Sequence, residues 1–344
     1  MANKETMFVQ DLKRVANSKT INWKKLTGKH FLITGATGII GYSLVCLLLE
    51  TNKLFDLGIQ IIALTRNLTK AKEVFAGYEN DYEKVLFFIE KDATLPLDIG
   101  KVDYIIHGAA ITSSKDFISK PVETIMTSLE GTKNVLEYAR DKRVDRMIYL
   151  STMEIYGYPP KGHKVSESEV GAFVPMDVRN CYPMGKLTGE MMCVSFYKEY
   201  GVPVNVLRLS QTFGPNVRAD DNRLFAYFLK CVQKHEDIVL RSKGETERSY
   251  LYSLDAATAI MTLLVCDEVG EIFNVADEDT YCSVFDFAQI ICKKYGIGLR
   301  IEEDNDKSRG FANTLFMDLD TTKIQNLGWK PLKLTIEDIY DRMI

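Results

Sequence analysis

The sequence predicts an α/β protein with a doubly wound parallel Rossmann sheet, and three observations support this fold class. Short apolar runs alternate with stretches of helical periodicity through the first two thirds of the chain. Strands that are apolar throughout are typical of a sheet covered on both faces by helices. A glycine-rich turn follows the first apolar run. After about Pro215 shorter strands mix with helices, which indicates a smaller mixed α/β unit.

Each predicted element rests on its apolar pattern. In the first unit the predicted strands are 29–34, 59–65, 85–90, 103–110, 145–152 and 202–210. Apolar residues at helical spacing predict one long helix around 118–140 and another around 184–199. In the second unit the candidates are strands at 237–240, 248–252 and 272–276 and a helix at 284–295.

These elements divide the chain into three parts. Residues 1–26 form an N-terminal extension whose apolar residues predict one short helix on the main body. Residues 27–214 form the dinucleotide-binding domain, and residues 215–344 form the substrate domain. The border stays open, because the segment near 248–276 could pack back on the first domain.

Composition excludes several classes of function. The 344 residues include 43 basic and 47 acidic side chains, so the net charge of -4 does not favour nucleic acid or an anionic membrane as a partner. No apolar run reaches the roughly 18 residues of a membrane span, and the polar N-terminus lacks a signal-peptide core. Seven scattered cysteines without a CxxC pair and four isolated histidines predict reduced thiols and no metal site. We expect a cytoplasmic protein.

The glycine turn predicts a dinucleotide site. Gly35, Gly38 and Gly41 lie between a strand and a helix, where they suit a tight turn, close approach of a pyrophosphate and strand–helix packing. The helix N-terminus then offers free N–H groups to the phosphates. The alternative is an ordinary turn between a strand and a helix. The predicted cofactor contacts here are Gly35, Thr37, Gly38, Ile39, Ile40 and Gly41.

The end of the second strand bears on the choice between NAD and NADP. A carboxylate there would bind the ribose 2′-hydroxyl of NAD, but residues 64–67 read Leu-Thr-Arg-Asn. Arg66 could pair with the 2′-phosphate of NADP. A solvated loop arginine is the alternative reading, so both cofactors stay open with a lean to NADP.

Four residues form the predicted catalytic group. Tyr182 and Lys186 stand four apart, on one face of a predicted helix. A nearby ammonium would help the phenol to act as a base near neutral pH, although a surface pair has the same spacing. Thr152 ends a predicted strand and Glu154 comes two residues later, and strand alternation would put both on one side. Thr152 could bridge substrate and phenol, and Glu154 could accept a carbon-bound proton; Glu154 could also be a solvated carboxylate.

Six motifs in order resemble the extended short-chain dehydrogenase/reductases, and within them the nucleotide-sugar epimerase/dehydratase family. They cover about residues 27 to 276. The motifs are TGATGIIG, HGAA, STMEIYG, YPMGK, RLSQTFGP and RSYLYSLD.

The resemblance implies a shared first step on a nucleotide sugar. Tyr182 would take the proton of a sugar hydroxyl, usually at C4, with help from Thr152, while Lys186 holds the cofactor and lowers the Tyr182 pKa. The transient keto-sugar then permits epimerisation, dehydration or decarboxylation. The resemblance also implies cofactor contacts at Asp92, Ala93, Ala109 and Ala110 and substrate contacts at Gln211, Arg223 and Arg248.

Departures from the family pattern leave the product open. Gln211 stands where an asparagine is usual, and Met153 stands where the dTDP-glucose dehydratases carry an acid. Glu154 is found in GDP-mannose dehydratases and UDP-glucuronate decarboxylases, and simple 4-epimerases usually lack it. Alternatives are a reductase of a keto-sugar that consumes NADPH, supported by Arg66, and a cofactor-sensing protein without catalysis. Family members commonly pair the two long helices in a homodimer, so we expect a dimer here.

Overall fold

The computed structural model describes residues 6–303 and 314–344. The strands are β1 His30–Thr34, β2 Gln60–Thr65, β3 Leu86–Glu90, β4 Tyr104–His107, β5 Arg146–Thr152, β6 Lys164–Val165, β7 Val204–Leu209, β8 Gln211–Phe213, β9 Ile238–Leu240, β10 Glu247–Arg248, β11 Tyr250–Tyr252, β12 Ile272–Val275, β13 Cys282–Ser283, β14 Leu299–Ile301 and β15 Phe316–Leu319. The helices are α1 Met7–Ala16, α2 Ile39–Phe55, α3 Leu68–Val74, α4 Ser114–Ser119, α5 Pro121–Lys142, α6 Cys181–Tyr200, α7 Leu224–Lys234, α8 Ser253–Val265, α9 Val284–Tyr295, α10 Thr322–Gln325 and α11 Ile336–Asp341.

A parallel sheet forms the centre of the molecule and confirms the predicted fold class. In the described part of the chain its seven strands lie in the order β12-β7-β5-β4-β1-β2-β3. All neighbouring strands run parallel, and the inner strands are buried because helices cover both faces. The chain changes direction across the sheet between β1 and β4. Ligands bind such sheets at the carboxyl ends of the strands beside this point.

The long helix predicted around 118–140 is confirmed as α5, but it begins only at Pro121, and residues 118–119 belong to the separate helix α4. Helix α4 ends at Ser119, and α5 begins at Pro121. Proline favours the first position of a helix and disfavours helical geometry in the residue before it. Lys120 is accordingly non-helical, with φ -140° and ψ 53°.

The N-terminal extension packs onto the sheet domain through α1. Phe8 is buried, and its ring lies 5.8 Å from that of Tyr42 on α2. Asp11, also buried, accepts hydrogen bonds from Arg342 Nη2 at 3.1 Å and from the Tyr252 hydroxyl at 3.2 Å. Helix α1 is therefore bonded to the residue that follows α11.

The segment 248–276 contributes strands to three of the sheets in the described part of the chain. The predicted strand at 248–252 is divided at Ser249 into β10 and β11. Strand β10 belongs to a second sheet of order β13-β10-β15-β6, whereas β11 pairs with β8. Beyond them, α8 packs on α2, and β12 forms one edge of the large sheet.

Within 6–303 and 314–344, none of the helices is both long and apolar enough to cross a membrane.

Candidate functional site

The glycine turn brings the ends of β1 and β4 into close contact. Gly35 has φ +75°, and a Cβ there would lie 2.8 Å from the carbonyl carbon and oxygen of Gly108. A Cβ at Gly41 would overlap the Gly35 oxygen and lie 2.7 Å from Ala36 Cα. Larger residues would therefore push the turn apart.

The N-terminus of α2 is open above this turn. Gly38 is exposed and is the N-cap residue, with no side chain capping the helix, and Ile39 and Ile40 form its first turn. Thr37 lies beside them, and its carbonyl accepts from the Asn216 side chain at 3.1 Å. The N–H groups of the first turn are uncapped, and Gly38 has no side chain that would obstruct a ligand. This geometry fits the pyrophosphate of a dinucleotide.

A buried hydrogen-bond network fixes the segment after β4. Thr34 Oγ1 accepts from the N–H groups of Gly108 at 3.2 Å and Ala109 at 3.1 Å. Because both contacts use lone pairs of Oγ1, the Thr34 hydroxyl donates its proton to His107 Nδ1, which lies 2.8 Å from Oγ1. Burial lowers the His107 pKa to about 3, so this imidazole is neutral at physiological pH. The network holds Ala109, and Ala110 after it, at the carboxyl end of β4.

The predicted adenosine contacts lie after β2 and β3. Asp92 Oδ1 accepts from the N–H and hydroxyl groups of Thr94, both at 2.9 Å. Asp92 Oδ2 lies 3.9 Å from Nη1 of Arg66, whose side chain is 69% exposed. Ala93 is buried, and its carbonyl accepts from the Asn134 side chain at 3.3 Å. Arg66 and Asp92 thus stand together at this edge of the sheet.

Tyr182 and Lys186 lie in the first two turns of α6, as the spacing predicted. Both side chains are buried. Lys186 Nζ donates to the Leu150 carbonyl at 2.7 Å and lies 4.7 Å from the centre of the Tyr149 ring. Burial lowers the Lys186 pKa to about 8.

The pKa of Tyr182 depends on groups from several elements. Burial raises it well above the ordinary value, and the Glu154 carboxylate raises it further. A hydrogen bond from Thr152 lowers it, as do the charges of Arg223 and Arg179. The phenol therefore needs positive charge nearby before it can act as a base.

Glu154 does not continue the alternation of β5. The strand ends at Thr152, and 153–156 form a 3₁₀ turn in which the Thr152 hydroxyl accepts from Glu154 N–H at 3.2 Å. The strand geometry that the prediction assumed is therefore absent, because a local cap replaces it. Thr152 and Glu154 nevertheless both influence the Tyr182 pKa. Glu154 Oε2 instead accepts from Arg179 Nη1 at 3.1 Å. Met153 is buried in a separate apolar cluster with Met317 and Leu319.

The predicted substrate residues lie on three separate elements that follow β7 in the chain. Gln211 begins β8, beside Tyr250 of β11. Arg223 precedes α7, and its Nη2 donates to Asp221 Oδ2 at 2.6 Å. Arg248 on β10 has a buried Nε without a hydrogen-bond partner among the described residues. A buried guanidinium donor of this kind fits an anionic ligand.

Sequence reasoning missed several contacts around this site. It did not single out Arg179, although an arginine three positions before the tyrosine was a possible signal. It also missed a buried ion pair, in which Arg208 Nη2 donates to Glu190 Oε2 at 2.8 Å. Ser151 donates to the same carboxylate. No local pattern predicts these contacts, because their partners are distant in sequence.

Comparison with known proteins places the chain in a family. The model of the NAD dependent epimerase/dehydratase family matches residues 31–276. UDP-glucuronic acid decarboxylase 1 of Xenopus tropicalis is 31% identical over 335 residues, which are 94% of this chain and 74% of that protein. UDP-glucuronic acid decarboxylase 6 of Arabidopsis thaliana is 31% identical over 259 residues, which are 74% of this chain and 71% of that protein.

Solved structures of similar fold include two enzymes crystallised with NAD. The dTDP-glucose 4,6-dehydratase DesIV of Streptomyces venezuelae has a TM-score of 0.76 at 22% identity and covers 91% of this chain and 95% of its own. The UDP-glucuronic acid 4-epimerase of Bacillus cereus has a TM-score of 0.74 at 21% identity and covers 91% and 98%.

The sheet, the glycine turn and the helix of Tyr182 and Lys186 define an extended short-chain dehydrogenase/reductase. The chain belongs to the NAD dependent epimerase/dehydratase family. It is an enzyme that modifies a nucleoside-diphosphate sugar through a transient 4-keto intermediate, with NAD as the cofactor type of the family.

Proposed function

We propose that the enzyme removes the C6 carboxylate of a UDP-activated glucuronic acid. The observation that carries this proposal is the position of Glu154, a carboxylate close enough to Tyr182 to raise its pKa and paired with Arg179 at 3.1 Å. A simple inversion at C4 needs no second acid–base group at this place. The decarboxylases at 31% identity support the same choice.

The chain's own residues divide the reaction into two proton transfers. Tyr182 takes the C4 hydroxyl proton, and Thr152 holds that oxygen in place. A bound nicotinamide supplies the oxidation at C4 and its reversal. The resulting β-keto acid loses carbon dioxide by breaking its C5–C6 bond, and C5 must then gain a proton. Glu154 is the acid–base group that we assign to this second transfer: it takes up a proton from the solvent and passes it to C5, after which it is again a carboxylate.

Binding contacts complete the proposal. The glycine turn holds the pyrophosphate of the cofactor, and Asp92, Ala93, Ala109 and Ala110 line its adenosine and pyrophosphate. Lys186 holds the nicotinamide ribose; lowering of the Tyr182 pKa by Lys186 stays a prediction. Gln211, Arg223 and Arg248 bind the sugar diphosphate.

Proton NMR of the protein with UDP-glucuronic acid tests this function. We expect a UDP-pentose and carbon dioxide over many turnovers without added cofactor, since the oxidation at C4 is reversed in each cycle. A C4 epimer or unchanged uronate would contradict decarboxylation, and arrest after one equivalent would favour the reductase alternative. Tyr182→Phe should lose activity about 10²- to 10⁴-fold. Full activity in that variant would contradict its catalytic role.

Cofactor preference is a second part of the proposal. We propose that Arg66 lets the site accept NADP as well as NAD, because its exposed guanidinium is free to turn towards a 2′-phosphate. Asp92 at 3.9 Å opposes this by its own negative charge. Mass spectrometry of cofactor released on denaturation, compared with that from Arg66→Ala, tests the preference. Loss of NADP binding in the variant is expected.

We also propose a homodimer through the outer faces of α5 and α6. Val122 is 71% exposed and Met191 66% exposed, and both lie on helices that pack together. Burying these side chains against a second copy would remove apolar surface from water. A monomer mass in light scattering at micromolar concentration would contradict this. A cytoplasmic location is likewise a proposal, to be tested by cell fractionation.

A further inference from the structure

We propose that Arg179 is a positioning residue that holds the Glu154 carboxylate beside the Tyr182 phenol and balances its charge there. This inference rests on the acid–base roles proposed above for Tyr182 and Glu154. It adds a residue that neither the motifs nor the comparisons assign.

The contact between Arg179 and Glu154 is well enclosed. Arg179 Nη1 donates to Glu154 Oε2 at 3.1 Å, and the two side chains are 18% and 25% exposed. The main chain of Arg179 is fixed as well, since its N–H donates to Asp177 Oδ1 at 3.0 Å. A partly buried, hydrogen-bonded ion pair keeps its geometry better than an exposed pair.

A stack of side chains connects Arg179 to Tyr182. The Arg179 guanidinium lies 5.8 Å from the centre of the Phe117 ring. The Phe117 ring in turn stacks on the Tyr182 ring, with centres 4.5 Å apart and planes within 8°. Phe117 is buried, so the guanidinium is confined between this ring and Glu154. Arg179 therefore sets where the Glu154 carboxylate lies relative to the phenol.

The chemistry requires compensation of charge at this place. A reacting Tyr182 phenolate and the Glu154 carboxylate would be two anions in one buried site, which is unfavourable without a cation. The charged groups that act on Tyr182 are Glu154, Arg179 and Arg223, and Lys186 shares its helix. Arg223 is paired with Asp221, and Lys186 donates to Leu150. Among the described residues, Arg179 is the cation in contact with Glu154.

Kinetics of the first step can test this role. The holoenzyme is mixed with UDP-glucuronic acid, and cofactor reduction is followed by near-ultraviolet absorbance across a range of pH. In the pH–rate profile of cofactor reduction, the acid limb reports the pKa of Tyr182. Because Arg179→Gln removes a positive charge that lowers this pKa, it should move the acid limb upward by about one to three pH units. Oxidation at pH values below the limb should then be at least tenfold slower. Arg179→Lys should restore part of the shift. Arg300→Gln, which removes an exposed arginine paired with Asp237 at 3.3 Å, is the control and should leave the limb in place.

A second variant background distinguishes an effect of Arg179 through Glu154 from a direct effect of the Arg179 charge on Tyr182. Glu154→Gln removes the charge at position 154, and the effect of Arg179→Gln in this background is measured against Glu154→Gln alone. If Arg179 positions Glu154, the shift is smaller in this background than in the parent. An unmoved limb, or an equal shift in both backgrounds, would overturn the inference.

A structural measurement keeps the inference independent of the substrate. In a crystal structure of the folded Arg179→Gln protein we expect the Glu154 carboxylate to leave its position and approach the Tyr182 hydroxyl. An unmoved Glu154 would refute the positioning role whatever the activity. If the parent enzyme oxidises no nucleotide sugar, the proposed function fails, while the crystal structure still decides the role of Arg179.

Discussion

Lys186 Nζ donates to the main-chain oxygen of Leu150 at 2.7 Å, which joins helix α6 to the strand that presents Thr152. A further contact continues this attachment along β5, because Ser151 donates to Glu190 of α6. Two successive residues of one strand are thereby bonded to two positions of one helix, so the strand end that leads to Thr152 is fixed against the helix of Tyr182.

Lys186 should make stability depend on pH in a defined direction. Its folded pKa of about 8 lies below the ordinary lysine value of 10.5, so the unfolded chain binds more protons between these values. The contribution of Lys186 to the free energy of unfolding should rise as pH increases from about 8 to 10.5. At about 1.4 kcal/mol per unit this is on the order of 3 kcal/mol.

Urea unfolding of the parent protein and of Lys186→Met at several pH values measures this contribution. The difference between the two should change by that amount in favour of the parent as pH rises. Lys198→Met changes an exposed lysine of the same helix and serves as the control. A difference that does not vary with pH would show that Lys186 titrates normally in the folded state.

Removal of one partner of the buried ion pair between Glu190 and Arg208 should strongly lower the free energy of unfolding. Both side chains are 3% exposed, and Arg208 Nη2 donates to Glu190 Oε2 at 2.8 Å. Glu190→Ala leaves an unpaired buried guanidinium, so a loss of about 3–5 kcal/mol in the free energy of unfolding is expected. Replacing both residues, as in Glu190→Leu with Arg208→Met, should cost less. Glu137→Ala, at an exposed pair with Lys133, is the control and should cost under about 1 kcal/mol.

The glycine turn should not tolerate a side chain at Gly41. An added Cβ would overlap Gly35 and Ala36, so Gly41→Ala should lower the melting temperature and weaken dinucleotide binding. Gly77→Ala is the matched control, because no atom lies within 4 Å of the Cβ that it would add. Calorimetry with and without NAD measures both effects. Equal melting and binding in the two variants would mean that the turn is not closely packed.

The contribution of Asp255 to the free energy of unfolding should decrease as pH rises. Burial raises its pKa to about 8, so the folded protein holds this proton while the unfolded chain releases it near pH 4. The contribution is complete below about pH 4 and is lost as pH rises towards 8. Asp255→Asn does not ionise and keeps an oxygen for Leu332 N–H, which donates to Asp255 Oδ1 at 2.8 Å.

Asp255→Asn should therefore gain stability over the parent between pH 5 and 8, by up to about 1.4 kcal/mol per unit. Denaturant unfolding at three pH values in this range provides the measurement. Asp267→Asn, at an exposed carboxylate after the same helix, should show no such trend. If the two asparagine variants behave alike, the Asp255 carboxyl is ionised in the folded state.

Sequence patterns located the glycine turn and the tyrosine helix because both signals are local. Gly35, Gly38 and Gly41 recur within seven residues of a strand end, and Tyr182 and Lys186 are one helical turn apart. The helix break at Pro121 was also local, but apolar periodicity that continued past the proline concealed it. At Glu154 the Thr152 hydroxyl capped a turn where alternation predicted strand, which shows that one side-chain hydrogen bond can override a pattern.

The amino-acid sequence alone determined the parallel sheet, its glycine turn and the helix that carries Tyr182, since each follows from spacing within one element. Only the tertiary structure decided which charges surround the phenol. Arg179 meets Glu154 across 25 positions, and Lys186 meets Leu150 across 36, because packing rather than periodicity brings them together. Electrostatic energy depends on distance and burial in three dimensions, and these quantities exist only after the chain has folded.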